Sequence, residues 1–78
     1  MKTKDIKVGN LYTDNKGNIR LVLAVGRGYV LYPSQAETDT LRYKIIKKKL
    51  GPHPVGAECN STRASFAVWA KQLIVGED

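Results

Sequence analysis

The hydrophobic pattern of this chain has two periods, one after the other. Over residues 19–25 apolar positions follow a period of two: Ile19, Leu21, Leu23 and Val25 alternate with Arg20, Val22 and Ala24. Successive strand side chains point to opposite faces, so this run predicts a β-strand. The second set is itself partly apolar, which implies cover on more than one side. Gly26-Arg27-Gly28 follows. Glycine tolerates the positive φ of tight turns, so Tyr29 to Tyr32 is expected to return as a hairpin partner, ended by Pro33. The stretch from Arg20 to Tyr32 is the densest strand-forming run, and it is expected to supply most of the core.

The flanking segments repeat the strand pattern more briefly. Lys7 to Thr13 reads as a short first strand, and residues 1–6 as polar and loose, with Ile6 the first anchor. Asp14-Asn15-Lys16-Gly17-Asn18 carries residues that accept turn dihedrals, and it should join the first strand to the hairpin. Ser34 to Asp39 reads as a polar loop. In Thr40 to Leu50, Leu41, Tyr43 and Ile45 alternate with Arg42, Lys44 and Ile46. Its β-branched and aromatic content favours another strand, broken at Lys47-Lys48-Lys49. Residues 51–56, Gly-Pro-His-Pro-Val-Gly, must form a loop. Ala57 to Cys59 is a brief extended segment.

From Asn60 the period becomes helical. Phe66, Trp69, Ala70 and Leu73 fall at i, i+3, i+4 and i+7, one face of a helix. Asn60, Ser61, Thr62 and Ser65 are candidate N-caps, and Gly76 is the expected stop. The expectation is a mainly β fold: a small antiparallel barrel of about five strands with a short C-terminal helix.

Length and charge narrow the function classes. A chain of 78 residues suits one domain, buries about 60% of its unfolded surface and has little room for a deep substrate cleft. Lys and Arg total 13 against 7 Asp and Glu, a formal net charge of +6. That balance favours nucleic acid or an acidic protein surface as partner. No apolar run reaches the ~20 residues of a membrane span, and the N-terminus lacks a signal-peptide core, so no membrane partner and a cytoplasmic location are expected.

Candidate chemistry is sparse. Cys59 is the one cysteine, so no intrachain disulfide can form. His53 and Cys59 are six residues apart, and the loop between them offers nothing to orient the histidine as a base. One Cys and one His fall short of a zinc site's four ligands. No catalytic residue, metal ligand or cofactor is therefore expected, and the chain reads as a non-enzyme. The cations stand out instead. Arg42, Lys44, Lys47, Lys48 and Lys49 cluster in eight residues. Arg42 and Lys44 should share a strand face, with Lys48 next in line. Arg20, read on the outward face, and Arg27, at the hairpin tip, extend the patch. Such cations gain affinity for phosphates by counterion release, with little sequence reading, so DNA and RNA stay equally open. Tyr29, Tyr32 and Tyr43 would add stacking where exposed. The lysine run also suits an edge strand guarded by charge, and an unguarded edge leaves homodimerisation open.

Val8-Gly9-Asn10-Leu11-Tyr12, then Gly17, then Val30-Leu31-Tyr32 resemble the SH3-like small barrels. The ending Ser65-Phe66-Ala67-Val68-Trp69-Ala70 resembles short phage and prophage proteins. The first resemblance implies a fold and the second a mobile-element origin, with docking on a host protein as the alternative function. Neither implies a functional residue.

Overall fold

The structure, a computed structural model, describes residues 1–26, 40–49 and 53–75. A 3-10 turn over Thr3–Asp5 leads to strand β1 (Leu11–Thr13), β2 (Ile19–Gly26), β3 (Thr40–Lys47) and β4 (Glu58–Thr62). Helix α1 (Arg63–Trp69) follows, then strand β5 (Gln72–Val75). The strands form one antiparallel sheet in the order β4-β3-β2-β1-β5. Four strands run as a meander, and the fifth returns to the far side of the first. Among the described residues the ladder does not close between β4 and β5.

Turn chemistry explains the first hairpin. Asp14 Oδ1 accepts from Lys16 N at 2.8 Å and Asn18 N at 3.3 Å, and Asp14 Oδ2 accepts from Asn18 Nδ2 at 2.8 Å. Asn15 sits at φ 64° and Gly17 at φ 95°, conformations that Asn and Gly tolerate best. β2 then pairs with β1 on one side and β3 on the other. The expected return strand at Tyr29–Tyr32, the Arg27 turn and the Ser34–Asp39 loop lie outside the described residues.

The core forms where the sheet meets α1. Ile6, Tyr12, Val22, Leu41, Tyr43, Ile45, Phe66, Ala67 and Ala70 are buried together. Phe66 is the hub: its ring centroid lies 5.6 Å from Tyr12, 5.5 Å from Tyr43 and 5.2 Å from Trp69. The edge-to-face angle of 85° with Tyr12 is the arrangement that ring quadrupoles favour. Thr62 caps the helix, its Oγ1 accepting from Ser65 N at 3.1 Å. β2 contributes Val22 alone to the fully buried set, while β3 contributes three residues and α1 with its C-cap three more. Among the described residues the core therefore centres on β3 and α1 rather than on β2.

Three further expectations are corrected. The helix stops at Trp69, and Ala70 turns extended at φ −74°, ψ 123°. Leu73 belongs to β5, opposite Tyr12, and is 43% exposed. Edge pairing with β1 thus overrides the helical spacing. Second, the N-terminal residues are tied down. The Met1 amino group donates to Ala67 O at 2.9 Å and Ala70 O at 3.2 Å, at the carbonyl end of α1 where a cation is favoured. Tyr12 Oη donates to Asp5 O and accepts from Lys7 N at 2.9 Å and Asn10 Nδ2 at 3.0 Å. Ile6 is 1% exposed. Third, the extended segment after Ala57 runs on to Thr62 as a full strand.

Candidate nucleic-acid interface

Strand register fixes where each predicted cation goes, because directly opposed residues of an antiparallel pair share a face. Arg20 opposes both Tyr12 and Ile45, and Val22 opposes Tyr43. Arg20 therefore lies on the core side, not on the outward face expected for it. Its guanidinium stacks 4.0 Å from the Trp69 ring centroid and 4.6 Å from that of Tyr43. A weakly hydrated planar cation can be sheltered this way at small desolvation cost. A bulge between Val22 and Ala24 then shifts the alternation, so Ala24 faces away with Arg42 while Val25 returns to the core side with Leu41.

Arg42 and Lys44 do share the outward face, but an acid sits beside them. Arg42 Nε meets Glu58 Oε1 at 3.1 Å, and its Nη1 donates to Asn60 Oδ1 at 2.9 Å. Lys44 opposes Glu58 in the ladder. The pair is exposed, so it contributes little to stability, yet it offsets the positive field there. A second bulge leaves Ile46 unpaired, and Lys47 opposes Ile19. Lys47, not Lys48, therefore takes the outward position after Lys44, and Lys48 and Lys49 lie beyond the strand end.

At that end of the sheet the chain gathers more lysines. The Asp14–Asn18 turn packs on Lys49, whose N–H donates to Asn18 Oδ1 at 3.0 Å. A Cβ built on Gly17 would lie 3.3 Å from Lys49 Cβ, which measures how closely the two segments meet. On the other flank Lys71 N donates to Thr13 O at 2.9 Å. Lys16, Lys47, Lys48, Lys49 and Lys71 thus belong to one end of the sheet, with Lys16, Lys47, Lys49 and Lys71 exposed. Among the described residues the acids at this end are Asp14 and Glu58. Burial is the largest single influence on Asp14 and raises its pKa, but the hydrogen bonds from the Asn18 side chain and the Lys16 and Asn18 amides together outweigh it and hold the carboxyl below its ordinary value.

Lys16 and Lys71 were absent from the sequence-based patch. The signal for Lys16 was present: a turn joining adjacent strands returns beside the end of the third strand of a meander. Lys71 had no such signal, because its position depends on β5 pairing with β1. Arg27 lies outside the described residues.

Cys59 opposes Tyr43 on the core side, whereas His53 is exposed on the loop before β4. Burial pushes the Tyr43 phenol above its ordinary pKa; Arg20 pulls it down, and the charge of and hydrogen bond with Cys59 push it up. Among the described residues no group of three or more His, Cys, Asp or Glu is placed to hold a metal ion. None of their helices is long and apolar enough to cross a membrane. No family model, curated protein or solved structure matches the chain.

Proposed function

We propose that this protein is a small, basic, non-catalytic module that binds nucleic acid through the phosphate backbone. The observation that carries this reading is the convergence of Lys16, Lys47, Lys48, Lys49 and Lys71 on one end of the sheet. These cations come from three separate chain segments, which an accidental lysine run would not bring together. The order β4-β3-β2-β1-β5, with a helix between the two edge strands packed into the sheet, supports an SH3-like barrel as the scaffold. Such a scaffold presents turns and strand ends around its rim, where these lysines sit. A cytoplasmic setting fits the same reading.

The test is binding of single-stranded and duplex oligonucleotides across a salt series. Binding should weaken linearly in log–log form. Replacing Lys47, Lys48 and Lys49 with Ala should flatten the slope by about 0.7 per lost contact on single strands. Absence of binding at low salt to both DNA and RNA would overturn the reading.

A second reading is favoured by a different observation. Val68, Leu73 and Ile74 are exposed apolar side chains, and the latter two lie on edge strand β5. An edge strand with apolar side chains can take up a partner strand by β-addition, which suits a phage-type module docking on a host protein. A purified partner that stays bound after nuclease treatment, and is lost on Ile74→Lys, would favour this reading over the first.

A further inference from the structure

The turn over residues 14–18 and Lys49 together border an open surface cavity of about 560 Å³, lined by Asn15, Lys16, Gly17, Asn18 and Lys49. We infer that this cavity is a seat for a phosphate group of the nucleic acid, with Lys16 and Lys49 as its two cationic walls. The inference rests on the nucleic-acid reading above and narrows it to one site.

Three observations converge on this cavity. Its volume is within the roughly 300–1,000 Å³ of sites that hold small organic groups, so it accommodates a phosphate with part of its sugar. Among the described residues its two charged lining residues are both lysines, and Asp14 is not in the lining. The Asp14 carboxylate is turned onto the Lys16 and Asn18 amides and the Asn18 side chain, which occupies it inside the turn. The walls are also held in place. Lys49 is fixed to the turn through its amide on Asn18 Oδ1, and Gly17 leaves open the space a side chain would take from it. Two exposed lysines whose backbones are locked together lose less freedom on meeting one anion than two independent side chains would.

Arg42 and Arg20 do not share this geometry. Arg42 is engaged by Glu58 and Asn60, and Arg20 by two rings. Among the described residues the lining contains no aromatic ring, so the seat reads phosphate and leaves the base unread.

The experiment is an amide chemical-shift titration of the full chain at low salt. The probes are a 12-residue oligothymidylate, a 12-residue oligouridylate and inorganic phosphate. The expected result is a shift of the amides of residues 15–18 and 49 by an oligonucleotide, with the same amides moved by inorganic phosphate at higher concentration. Lys16→Ala and Lys49→Ala should each weaken oligonucleotide binding about three- to tenfold and lower the salt slope by roughly 0.7. Lys2→Ala, outside the cavity lining, should change it less. If an oligonucleotide binds but these amides stay still and both variants bind like the parent, the seat is overturned while the nucleic-acid reading stands. If neither oligonucleotide binds yet inorganic phosphate moves the same amides, the nucleic-acid reading falls and the anion seat survives without it. If neither oligonucleotide binds and inorganic phosphate also leaves these amides still, both fall.

Discussion

The guanidinium of Arg20 lies 4.0 Å from the centroid of the Trp69 ring, so a charge on β2 is clasped by the last residue of α1. The Tyr43 ring holds it from the sheet side. Cation–π contacts contribute about 0.5–2 kcal/mol each depending on desolvation. Arg20→Ala should therefore destabilise the fold by roughly 1–3 kcal/mol, read as a lower urea midpoint, and shift the Trp69 fluorescence. Arg20→Lys should recover part of the loss. Unchanged unfolding in both variants would show that the stacking contributes nothing.

The Tyr12 hydroxyl joins the N-terminal turn to the sheet. Tyr12→Phe deletes one donor and one acceptor while leaving the ring packed on Phe66. Lys7 N–H and the buried Asn10 side chain then lose their acceptor. Removing the hydrogen-bond partner of a buried polar group costs about 1–3 kcal/mol, and that is the expected fall in unfolding free energy. Hydrogen exchange should quicken at Asp5 and Ile6, whose amides donate to Lys2 O and Thr3 O within the same turn. A change confined to residues distant from the N-terminus would contradict this assignment.

Thr62 ends β4 and caps α1 through one hydroxyl. Thr62→Ala should cost about 1 kcal/mol, and Thr62→Ser should cost distinctly less, because Ser keeps the accepting oxygen. Thermal unfolding of the two variants side by side measures the difference.

Asp14 sets the acid limit of the first turn. Its folded pKa is lowered, so its contribution is present above the unfolded value of about 3.9 and disappears as pH falls through the folded value. Asp14→Asn should reduce stability at neutral pH and flatten its fall on the acid side. Urea midpoints from pH 7 down to pH 2 test this. A parallel fall in parent and variant would place the acid sensitivity elsewhere.

The reliability of the sequence reading differed sharply from strand to strand. β3 was readable because Leu41, Tyr43 and Ile45 alternate strictly against Arg42 and Lys44, and the structure keeps that parity up to Ile45. β2 was readable as a strand but not as a face. With Leu, Val or Ala at most positions, either side fits an apolar core, and the bulge at Leu23 changes the parity midway. Arg20 was misplaced for the same reason: its shelter is made by Trp69, distant in sequence. β5 was unreadable as a strand because Leu73 completes a helical spacing with Phe66, Trp69 and Ala70. Local spacing carries no information about the edge of β1 that Gln72–Val75 occupies. The candidate site divides likewise. Lys47 to Lys49 are visible as a run, whereas the placement of Lys16 and Lys71 at the same end of the sheet is a property of register and strand order.

The pairing of β5 with β1 has a temporal consequence. Residues 11–13 pair early with residues 19–21 but find their partners on the other side only at residues 72–75, so the sheet cannot be completed on a ribosome until almost all of this sequence has emerged. Until then the apolar side of β1 has no β5 neighbour, and long-range pairings of this kind slow folding. The meander can assemble early, but its final strand arrives last, and that interval is when a nascent chain would be most prone to associate with its neighbours.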